Sequence, residues 1–333
     1  MDHNYNSLLN SVWLDTTLQT DYPSLSEDID VDIAIIGGGL AGINAAYLLQ
    51  EENLNIAILE AERICTGTTA YSSAKITSQH GLIYGKIKDK FGEEMAGLYA
   101  DANQTAIKMY EDIIKGNAID CTFLSQPAIV FTQEKKYVKK IEEEVKIAQG
   151  LGIDAFYTDN IPFPIDIEAA IGFNNQAQFN PRAYVLGLAG IIKNKVQIYE
   201  NSRAVDIEED NGYIITTEQG KKLRAKKVII ASHYPLCNKK ELYFARIFPK
   251  RSYAIGIKAE EKFPGGMYIN AEKPTRSFRH QATPHEEFIL VVGGNPKVGK
   301  KEDENKNYEA LIEFANEIFT VKEIPYKWFT HDY

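Results

Sequence analysis

Residues 31–60 of the chain read VDIAIIGGGLAGINAAYLLQEENLNIAILE, and the rest of the sequence is organised around this segment. Residues 32–36 are rich in isoleucine, which is typical of a buried parallel strand and too short for a helix. Glycines with the spacing G-x-G-x-x-G follow, and apolar residues then recur at helical spacing. A second strand is predicted over 55–59. The segment therefore predicts a strand, a glycine turn, a helix and a second strand in succession.

Each glycine of this turn has its own physical role. Gly37 permits the tight turn from strand to helix, Gly39 lets a pyrophosphate approach the backbone, and Gly42 lets the helix pack closely on the strand. The helix N-terminus offers unpaired N–H groups and a partial positive charge to phosphates. Glu60 lies 18 residues after Gly42, where a carboxylate at a strand end can bind ribose hydroxyls. The combination predicts a dinucleotide site; a glycine turn within some other α/β fold is the alternative.

The composition limits the classes of function. With 333 residues the chain is long enough for two domains, and its 44% hydrophobic and 25% charged residues are typical of a globular protein. The formal net charge of −9 indicates no basic surface for nucleic acid or for an anionic membrane. The first residues have neither the basic region nor the apolar core of a secretory signal. We therefore expect a cytoplasmic protein.

The cysteines also indicate the cytoplasm. Cys65, Cys121 and Cys237 are odd in number and far apart, which is typical of reduced thiols. None has another cysteine or a histidine two or three positions away, so we expect no metal site. Residues 33–49 are the only stretch similar to a membrane span, but three glycines and Asn44 interrupt them. We therefore predict no membrane segment.

The segment after Glu60 is unusual. Residues 61–81, AERICTGTTAYSSAKITSQHG, are small and hydroxylated without a clear period, and long loops of this kind are usually functional. A helical region is predicted next, over 85–115. A strand over 128–132 and an amphipathic helix over 135–149 follow.

The second half begins with a helix from Pro181, which suits a first helical turn. An antiparallel meander is then predicted, because short apolar runs alternate with Asp-Asn-Gly and Gln-Gly turns. Its strands are expected over 197–199, 204–208, 213–217 and 222–225. The run KVIIA, residues 227–231, suits a strand that rejoins the parallel sheet. Strands and loops alternate over 241–321, with a helix at 307–319.

Several motifs together resemble a known family. They are GGGLAG, LEAER, GTTAYSSAK, QAQFNPRAYVLGLA, the meander that ends in VIIAS, and GMYI followed by PTRSFR. These motifs resemble the FAD-dependent oxidoreductases of the D-amino-acid oxidase superfamily. The similarity is greatest to its γ-glutamylputrescine-oxidase-like branch, which is often fused to a C-terminal Rieske domain. The resemblance implies FAD as the cofactor and a small amine or amino acid as the substrate.

The resemblance also implies the fold class and the domains. We expect an α/β chain with a Rossmann-like FAD-binding domain, made of a parallel sheet plus an antiparallel meander. An inserted α+β domain, built on a mostly antiparallel sheet, would bind the substrate. The FAD-binding domain is expected over 1–88, 178–240 and 322–333, and the substrate-binding domain over 89–177 and 241–321.

A set of cofactor contacts is implied in the same way. The glycine turn would hold the pyrophosphate, Glu60 the adenosine ribose, and residues 67–69 would lie beside the pyrophosphate. Residues 72–75 would run along the flavin, and Val205 would meet the adenine through its backbone. The predicted cofactor-binding residues are Gly37, Gly39, Leu40, Ala41, Gly42, Glu60, Ala61, Arg63, Gly67, Thr68, Thr69, Ser72, Ser73, Ala74, Lys75, Val205, Ala231 and Ser232.

In the resembling enzymes an amine gives a hydride from its C–H bond to flavin N5, and the resulting imine hydrolyses. Lys75 would place a cation near the flavin, and His80 would lie near the ring or make a structural hydrogen bond. Arg276 and Arg279 are three apart on a predicted strand and so face opposite ways, which leaves at most one of them for a substrate carboxylate. A surface or ion-paired arginine is the alternative for each.

Two features depart from the family's pattern. Trp328 and Asp332 resemble a W…D motif beyond which the family closes its flavin site, yet the sequence ends at Tyr333. It also lacks the C-x-H and C-x-x-H motifs of a Rieske cluster. One alternative is therefore a nucleotide-binding fragment that needs a further C-terminal segment for activity, and a weaker one is an NAD(P)-linked dehydrogenase. The electron acceptor is left open.

Overall fold

The computed structural model describes residues 10–234, 236, 242–248, 250–283, 286–294 and 304–332. Within these residues the strands form two sheets, one of six strands and one of nine, and helices pack against both. The predicted α/β class is therefore correct. Cys237 lies outside the described residues.

The elements are numbered in chain order. The strands are β1 (Ile29–Ile36), β2 (Ile56–Leu59), β3 (Lys75–Ile76), β4 (Leu124–Thr132), β5 (Ala155–Thr158), β6 (Ala169–Gln178), β7 (Val196–Tyr199), β8 (Ala204–Glu209), β9 (Tyr213–Thr217), β10 (Lys222–Ile230), β11 (Lys250–Ala259), β12 (Met267–Asn270), β13 (Arg276–Ala282), β14 (Glu287–Gly293) and β15 (Val321–Asp332). The helices are α1 (Val12–Asp15), α2 (Leu40–Leu49), α3 (Tyr84–Phe91), α4 (Glu93–Gly116), α5 (Val138–Gly150), α6 (Pro181–Ile192), α7 (Tyr243–Arg246) and α8 (Glu304–Ile318). Short 3-10 helices cover Thr68–Tyr71 and Lys135–Tyr137.

The smaller sheet contains the predicted parallel core. Its strand order is β7-β2-β1-β10-β9-β8, and β1 is parallel to both β2 and β10. All four residues of β2 and the last four of β1 are buried. Strands that are covered on both faces are expected to be continuous apolar runs, which is why the sequence indicated them clearly.

The structure corrects two details of the predicted meander. Residues 197–199 belong to β7, which is not a meander strand but pairs parallel with β2. The two strands predicted over 222–225 and 227–231 are the single strand β10, parallel to β1 along its length and antiparallel to β9 over its first half. The backbone is extended in 197–199 and in 222–230, as predicted. Which strand each of them pairs with depends on the tertiary structure and cannot be seen in the local sequence.

Helix α2 follows the glycine turn, and its Ile43 is fully buried in the core beneath the sheet. Helix α6 packs beside it and begins with Pro181, as predicted. The Asn180 side chain accepts hydrogen bonds from the backbone N–H groups of Arg182 (3.1 Å) and Ala183 (3.0 Å). This N-cap satisfies two donors that the first helical turn leaves unpaired.

The larger sheet has the order β15-β11-β14-β13-β12-β4-β6-β3, and β5 also pairs with β6. Its pairings are antiparallel except for β12 with β4, so it is the mostly antiparallel sheet that the resemblance implies. Phe278 of β13 shares a buried cluster with Tyr308 and Leu311 of α8. Helix α8 therefore covers one face of this sheet.

Two strands of the larger sheet lie in ranges that the sequence assigned to the FAD-binding domain. Strand β3 pairs with β6, and β15 pairs with β11. The local sequence of β3 and β15 does not indicate which strand each pairs with. Their partners, β6 and β11, are far away in sequence. The division into domains stays a prediction.

The helical region predicted over 85–115 consists of two helices. Helix α3 ends at Phe91 and α4 begins at Glu93. Gly92 between them has a φ of 89°, a conformation that side chains other than glycine rarely adopt. Of the helices in the described residues, none is long and apolar enough to cross a bilayer.

Candidate functional site

A cavity of about 1120 Å³ opens at the carboxyl ends of the parallel strands. The last residues of three strands line it, namely Ile36 of β1, Leu59 of β2 and Ile230 of β10. Ligands of open α/β sheets bind in the crevice outside the carboxyl ends of the strands. The volume exceeds the ~300–1,000 Å³ of ordinary small-molecule pockets, so this first cavity has room for a dinucleotide.

The glycine turn forms one wall of the first cavity. Gly37 has a φ of 113°, and a Cβ there would lie 2.5 Å from the carbonyl oxygen of Ala231. A Cβ on Gly42 would lie only 1.9 Å from the carbonyl oxygen of Gly37. Only glycine therefore lets α2 begin so close to the ends of β1 and β10. Gly42 acts through this packing and does not line the cavity itself.

Glu60 follows the end of β2 and lines the same cavity. Its carboxylate accepts hydrogen bonds from the backbone N–H groups of Gly38 (2.7 Å) and Glu62 (3.1 Å). These bonds hold the side chain beside the glycine turn. An ionised carboxylate has about four lone-pair sites, so Glu60 can still accept hydrogen bonds from hydroxyl groups of a ligand.

The start of α2 is tied to the loop that follows Glu60. The backbone N–H of Leu40 donates to Oγ1 of Thr69 at 3.0 Å, and Gly39 provides no side-chain cap. Gly39, Leu40, Ala41 and Thr69 all line the first cavity. The positive end of the helix dipole therefore lies at this cavity, where it favours a phosphate.

Most of the predicted cofactor-binding residues come together around the first cavity. Those that line it are Gly37, Gly39, Leu40, Ala41, Glu60, Ala61, Gly67, Thr68, Thr69, Ser72, Ala231 and Ser232. Lining residues that the sequence analysis did not identify include Asn44, Tyr110, Arg203, Ala204, His233, Tyr234 and Leu236. Tyr110 is far in sequence from every predicted residue, whereas each of the others lies within four positions of one.

Two predicted cofactor residues lie elsewhere. The guanidinium of Arg63 donates to the carbonyl of Thr20 and lies 3.9 Å from a carboxylate oxygen of Asp21, so it fixes the N-terminal segment. Val205 is 47% exposed and does not line the cavity, whereas its neighbour Ala204 does. The pairing of β8 with β9 is irregular between Ala204 and Asp206.

The loop after Glu60 is held by side chains from distant parts of the chain. Four consecutive carbonyls, those of residues 70–73, each accept one hydrogen bond. The donors are Ser11 Oγ to Ala70 (2.5 Å), Trp328 Nε1 to Tyr71 (2.9 Å), Trp13 Nε1 to Ser72 (3.0 Å) and Arg279 Nε to Ser73 (2.7 Å). We call residues 70–73 the clamped segment. Its backbone position is fixed by the start of the chain together with β13 and β15.

A second cavity, of about 510 Å³, borders the clamped segment. Ser72 lines the first cavity and Ser73 lines the second. Lys75 and His80, two of the predicted catalytic residues, also line the second cavity. Ala74, a predicted cofactor residue, is buried and lines neither cavity. The loop after Glu60 thus connects the two cavities.

Two cations lie close together near the clamped segment. Arg279 is 1% exposed, and desolvation lowers its pKa to about 9. Lys75 keeps some accessible surface where the second cavity reaches it. Desolvation, followed by repulsion from Arg279, lowers the pKa of Lys75 to about 7. Arg279 donates only to neutral oxygens, and its buried Nη2 has no hydrogen-bond partner among the described residues. The pair therefore favours a ligand that brings an acceptor or a negative charge.

The other two predicted catalytic residues are placed differently. His80 Nδ1 lies 2.6 Å from the hydroxyl of Tyr99, and burial lowers the pKa of His80. Arg276 donates to the carbonyl of Thr275 at 3.1 Å, and neither Arg276 nor Arg279 lines either cavity. As the strand periodicity predicts, Arg276 and Arg279 do not share a site, and Arg279 is the one near Lys75. The structure does not bring Arg276 to the candidate site.

Metal and thiol chemistry have little support in the part of the chain that the structure describes. No group of three or more His, Cys, Asp or Glu side chains there is arranged to hold a metal ion. Cys65 and Cys121 are buried and free. Desolvation raises the pKa of each thiol to about 12, so both are protonated and unreactive at neutral pH.

The sequence matches one family over nearly its whole length. The family is described as FAD dependent oxidoreductase (DAO), and the match covers residues 32–330. Its cofactor fits the first cavity, because glycines leave the backbone open beside a helix N-terminus and Glu60 remains able to accept ribose hydroxyls.

Two relatives illustrate the similarity at the sequence level. The putative Rieske 2Fe-2S iron-sulfur protein YhfW of Bacillus subtilis is 34% identical over 321 residues, which cover 96% of this chain and 63% of that protein. The γ-glutamylputrescine oxidoreductase of Escherichia coli is 23% identical over 68% of this chain and 54% of its own length. The chain thus spans less than two thirds of either relative.

Solved structures share the fold. Glycine oxidase from Geobacillus kaustophilus has a TM-score of 0.69 at 15% identity, and the match covers 91% of this chain and 82% of the oxidase. At this level of identity the similarity concerns the fold alone. It confirms the predicted fold class.

Proposed function

We propose that this chain, which belongs to the DAO family of FAD-dependent oxidoreductases, oxidises the C–N bond of a small amine or amino acid. Its cofactor is FAD. The names of γ-glutamylputrescine oxidoreductase and glycine oxidase, both similar to this chain, point to amine and amino-acid substrates. The NAD(P)-linked alternative has no support from these similarities.

One observation carries this proposal: a single loop connects the two cavities. Gly67 and Thr68 line the first cavity, and Ser72 and Ser73 line one cavity each. A cofactor that occupies the first cavity and follows this loop would reach the border of the second. The substrate would then enter through the second cavity, next to the clamped segment.

The chain's own residues would orient the cofactor and the substrate. Bound FAD would supply its N5 atom as the acceptor for a hydride from the carbon that carries the amine. The protein supplies position and charge. Hydrogen bonds from side chains hold the clamped segment, so that its position changes little while a ligand is bound. Arg279 and Lys75 supply positive charge beside that segment.

The test is anaerobic reduction of the bound flavin. The purified chain is saturated with FAD, freed of unbound cofactor and mixed with a panel of amines and amino acids, while the visible flavin absorbance is recorded. We expect bleaching by a subset of the panel. Gly42→Val serves as the control, because the larger side chain collides with the Gly37 carbonyl and should abolish FAD retention. Failure to retain FAD, or retention of NADH in its place, would overturn the proposal.

A further inference from the structure

Helix α4 is the longest helix among the described residues, and one of its faces exposes small and apolar side chains. The residues of this face, which we call the α4 stripe, are Met95, Leu98, Ala102, Thr105, Ala106 and Met109. Its large side chains are those of Met95, Leu98 and Met109, which are 49%, 56% and 42% exposed. At 3.6 residues per turn the stripe covers a sector about 100° wide. Residues that alternate at spacings of three and four form the seam of a two-helix coiled coil.

The opposite face of α4 holds the helix against the rest of the chain. Ala96, Ala100, Ile107 and Ile114 are buried there. The helix is therefore anchored without any contribution from the stripe, and a partner that binds the stripe meets a helix that is already formed. Single exposed apolar side chains are normal on a protein surface, whereas a continuous group of them indicates an interaction surface.

Charged residues flank the stripe in a pattern that is complementary to itself. Along one side they recur every seven residues, as Glu94, Asp101, Lys108 and Lys115. The two residues nearer the start of the helix are acidic, and the two nearer its end are basic. Lys108 lies 3.4 Å from a carboxylate oxygen of Asp112, and Lys115 pairs with Glu111. These pairs within the helix are exposed, so they contribute little and leave the lysines able to attract a second acid.

Two copies of α4 that run antiparallel would match the stripe residues. When Leu98 lies opposite Met109 of the second copy, Ala102 lies opposite Thr105. The small side chains then meet at the two-fold axis, where the two backbones approach most closely, and larger side chains pack on either side. Met95 lies at each end of this contact.

The same antiparallel arrangement would match the charges. Asp101 comes beside Lys108 of the second copy and Glu94 beside Lys115, and the two-fold axis repeats both pairs. In a parallel arrangement these four residues would face the other side of the stripe, where Tyr99 and Ala106 carry no charge. The charge pattern therefore favours one orientation and one register.

We propose that two copies of this chain associate through the α4 stripe as an antiparallel pair. A second copy fits better than an unrelated partner because an interface with two-fold symmetry must be complementary to itself, as this stripe is. Residues 95–109 extend over roughly 22 Å of helix. A contact of this size gives a weak, reversible dimer. The proposal concerns assembly and does not depend on the proposed reaction.

The test is analytical ultracentrifugation of the FAD-saturated chain over a series of concentrations at low salt. The variants are Asp101→Lys, Lys108→Asp and the double reversal. The controls, Glu143→Lys and Lys139→Asp, make the same changes of charge at exposed positions on α5. Leu98→Glu is the apolar variant, and thermal melting verifies that each variant folds.

We expect a parent dimer with a dissociation constant of roughly 1–100 μM. Each single reversal turns two attractions into repulsions and should raise this constant at least about tenfold, whereas each control should change it less than about twofold. The double reversal forms the pairs again with opposite signs and should restore the constant to within about threefold of the parent value. An equal mixture of the two single variants should form heterodimers. Leu98→Glu should leave a monomer.

A parent chain that stays monomeric over the whole concentration range would overturn the proposal. So would equal losses in the single reversals and the controls, or a double reversal no tighter than the single ones. A monomeric parent that binds phosphatidylcholine vesicles through Leu98 would assign the stripe to a membrane instead. If a charge reversal impairs folding, Leu98→Glu still decides, because this side chain is 56% exposed; a dimer unchanged in this variant would refute the stripe.

Discussion

Glu60 provides the sharpest test of cofactor binding. Substitution Glu60→Gln removes a negative charge while it preserves the shape of the side chain. The amide can keep one of the two backbone hydrogen bonds that the carboxylate accepts, from Gly38 or from Glu62. The amide loses the charge-assisted hydrogen bonds to the ribose hydroxyls. A carboxylate at the end of β2 is well placed to make these bonds.

The size of the effect follows from the bond type. A hydrogen bond to a charged group contributes about 1.5–3 kcal/mol, and each 1.4 kcal/mol corresponds to a tenfold change in affinity. We therefore expect the FAD dissociation constant to rise roughly 10- to 150-fold. ADP contains the same ribose and should lose affinity by the same factor.

The measurement is a titration of the apoprotein with FAD and, separately, with ADP. Glu52→Gln is the matched control, because Glu52 lies eight residues away, is exposed and does not line the cavity. It should change neither affinity by more than about twofold. An unchanged FAD affinity in Glu60→Gln, or a loss for FAD without a loss for ADP, would refute the ribose role.

Three further predictions concern packing, the clamp and pH. Gly42→Ala places a Cβ 1.9 Å from a backbone oxygen and should lower the melting temperature and FAD occupancy, whereas Gly190→Ala, with nothing within 4 Å, should be neutral or stabilising. Trp13→Phe removes the donor to the part-buried carbonyl of Ser72, so we expect a loss of about 0.5–1.5 kcal/mol in unfolding free energy by denaturation, and no loss would exclude the clamp. Folding lowers the pKa of Lys75 from 10.5 to about 7, so between these values only the unfolded chain carries this proton; the unfolding free energy should therefore rise from about pH 7 to about pH 9, and should rise less in Lys75→Met.

The sign of the pH effect distinguishes Lys75 from its neighbours. Arg279 remains charged in this range because its pKa is about 9. Burial lowers the pKa of His80, so its ring is neutral at a pH above the ordinary pKa of histidine. A rise in stability that begins near neutrality and is smaller in Lys75→Met therefore reports on Lys75.

Much of the first cavity could be predicted from the sequence. The strand, the glycine turn, the helix and Glu60 are contiguous within 31–60. Their geometry depends on local sterics, such as the positive φ of Gly37 and the collision that a Cβ on Gly42 would suffer. Most of the predicted cofactor residues line one cavity for this reason, and beside Val205 it is Ala204 that lines it.

The second cavity and the clamp depend on contacts between distant segments. Arg279 reaches the carbonyl of Ser73 across 206 positions of sequence, and Trp328 reaches Tyr71 across 257. No periodicity indicates such partners, because they depend on which strands pair in the larger sheet. The sequence left open which of Arg276 and Arg279 lies near the candidate site, and the structure places Arg279 close to Lys75.

The sequence alone thus determined the nucleotide-binding turn and the alternation of buried strands, since these follow from backbone conformations and apolar spacing within a few dozen residues. Tertiary structure decided that β10 is one strand shared by two pairings and that β15 joins the larger sheet. It also brought three lysines from β3, α3 and α5 to one cavity. Such arrangements arise from long-range pairing and packing, to which local sequence patterns contribute no information.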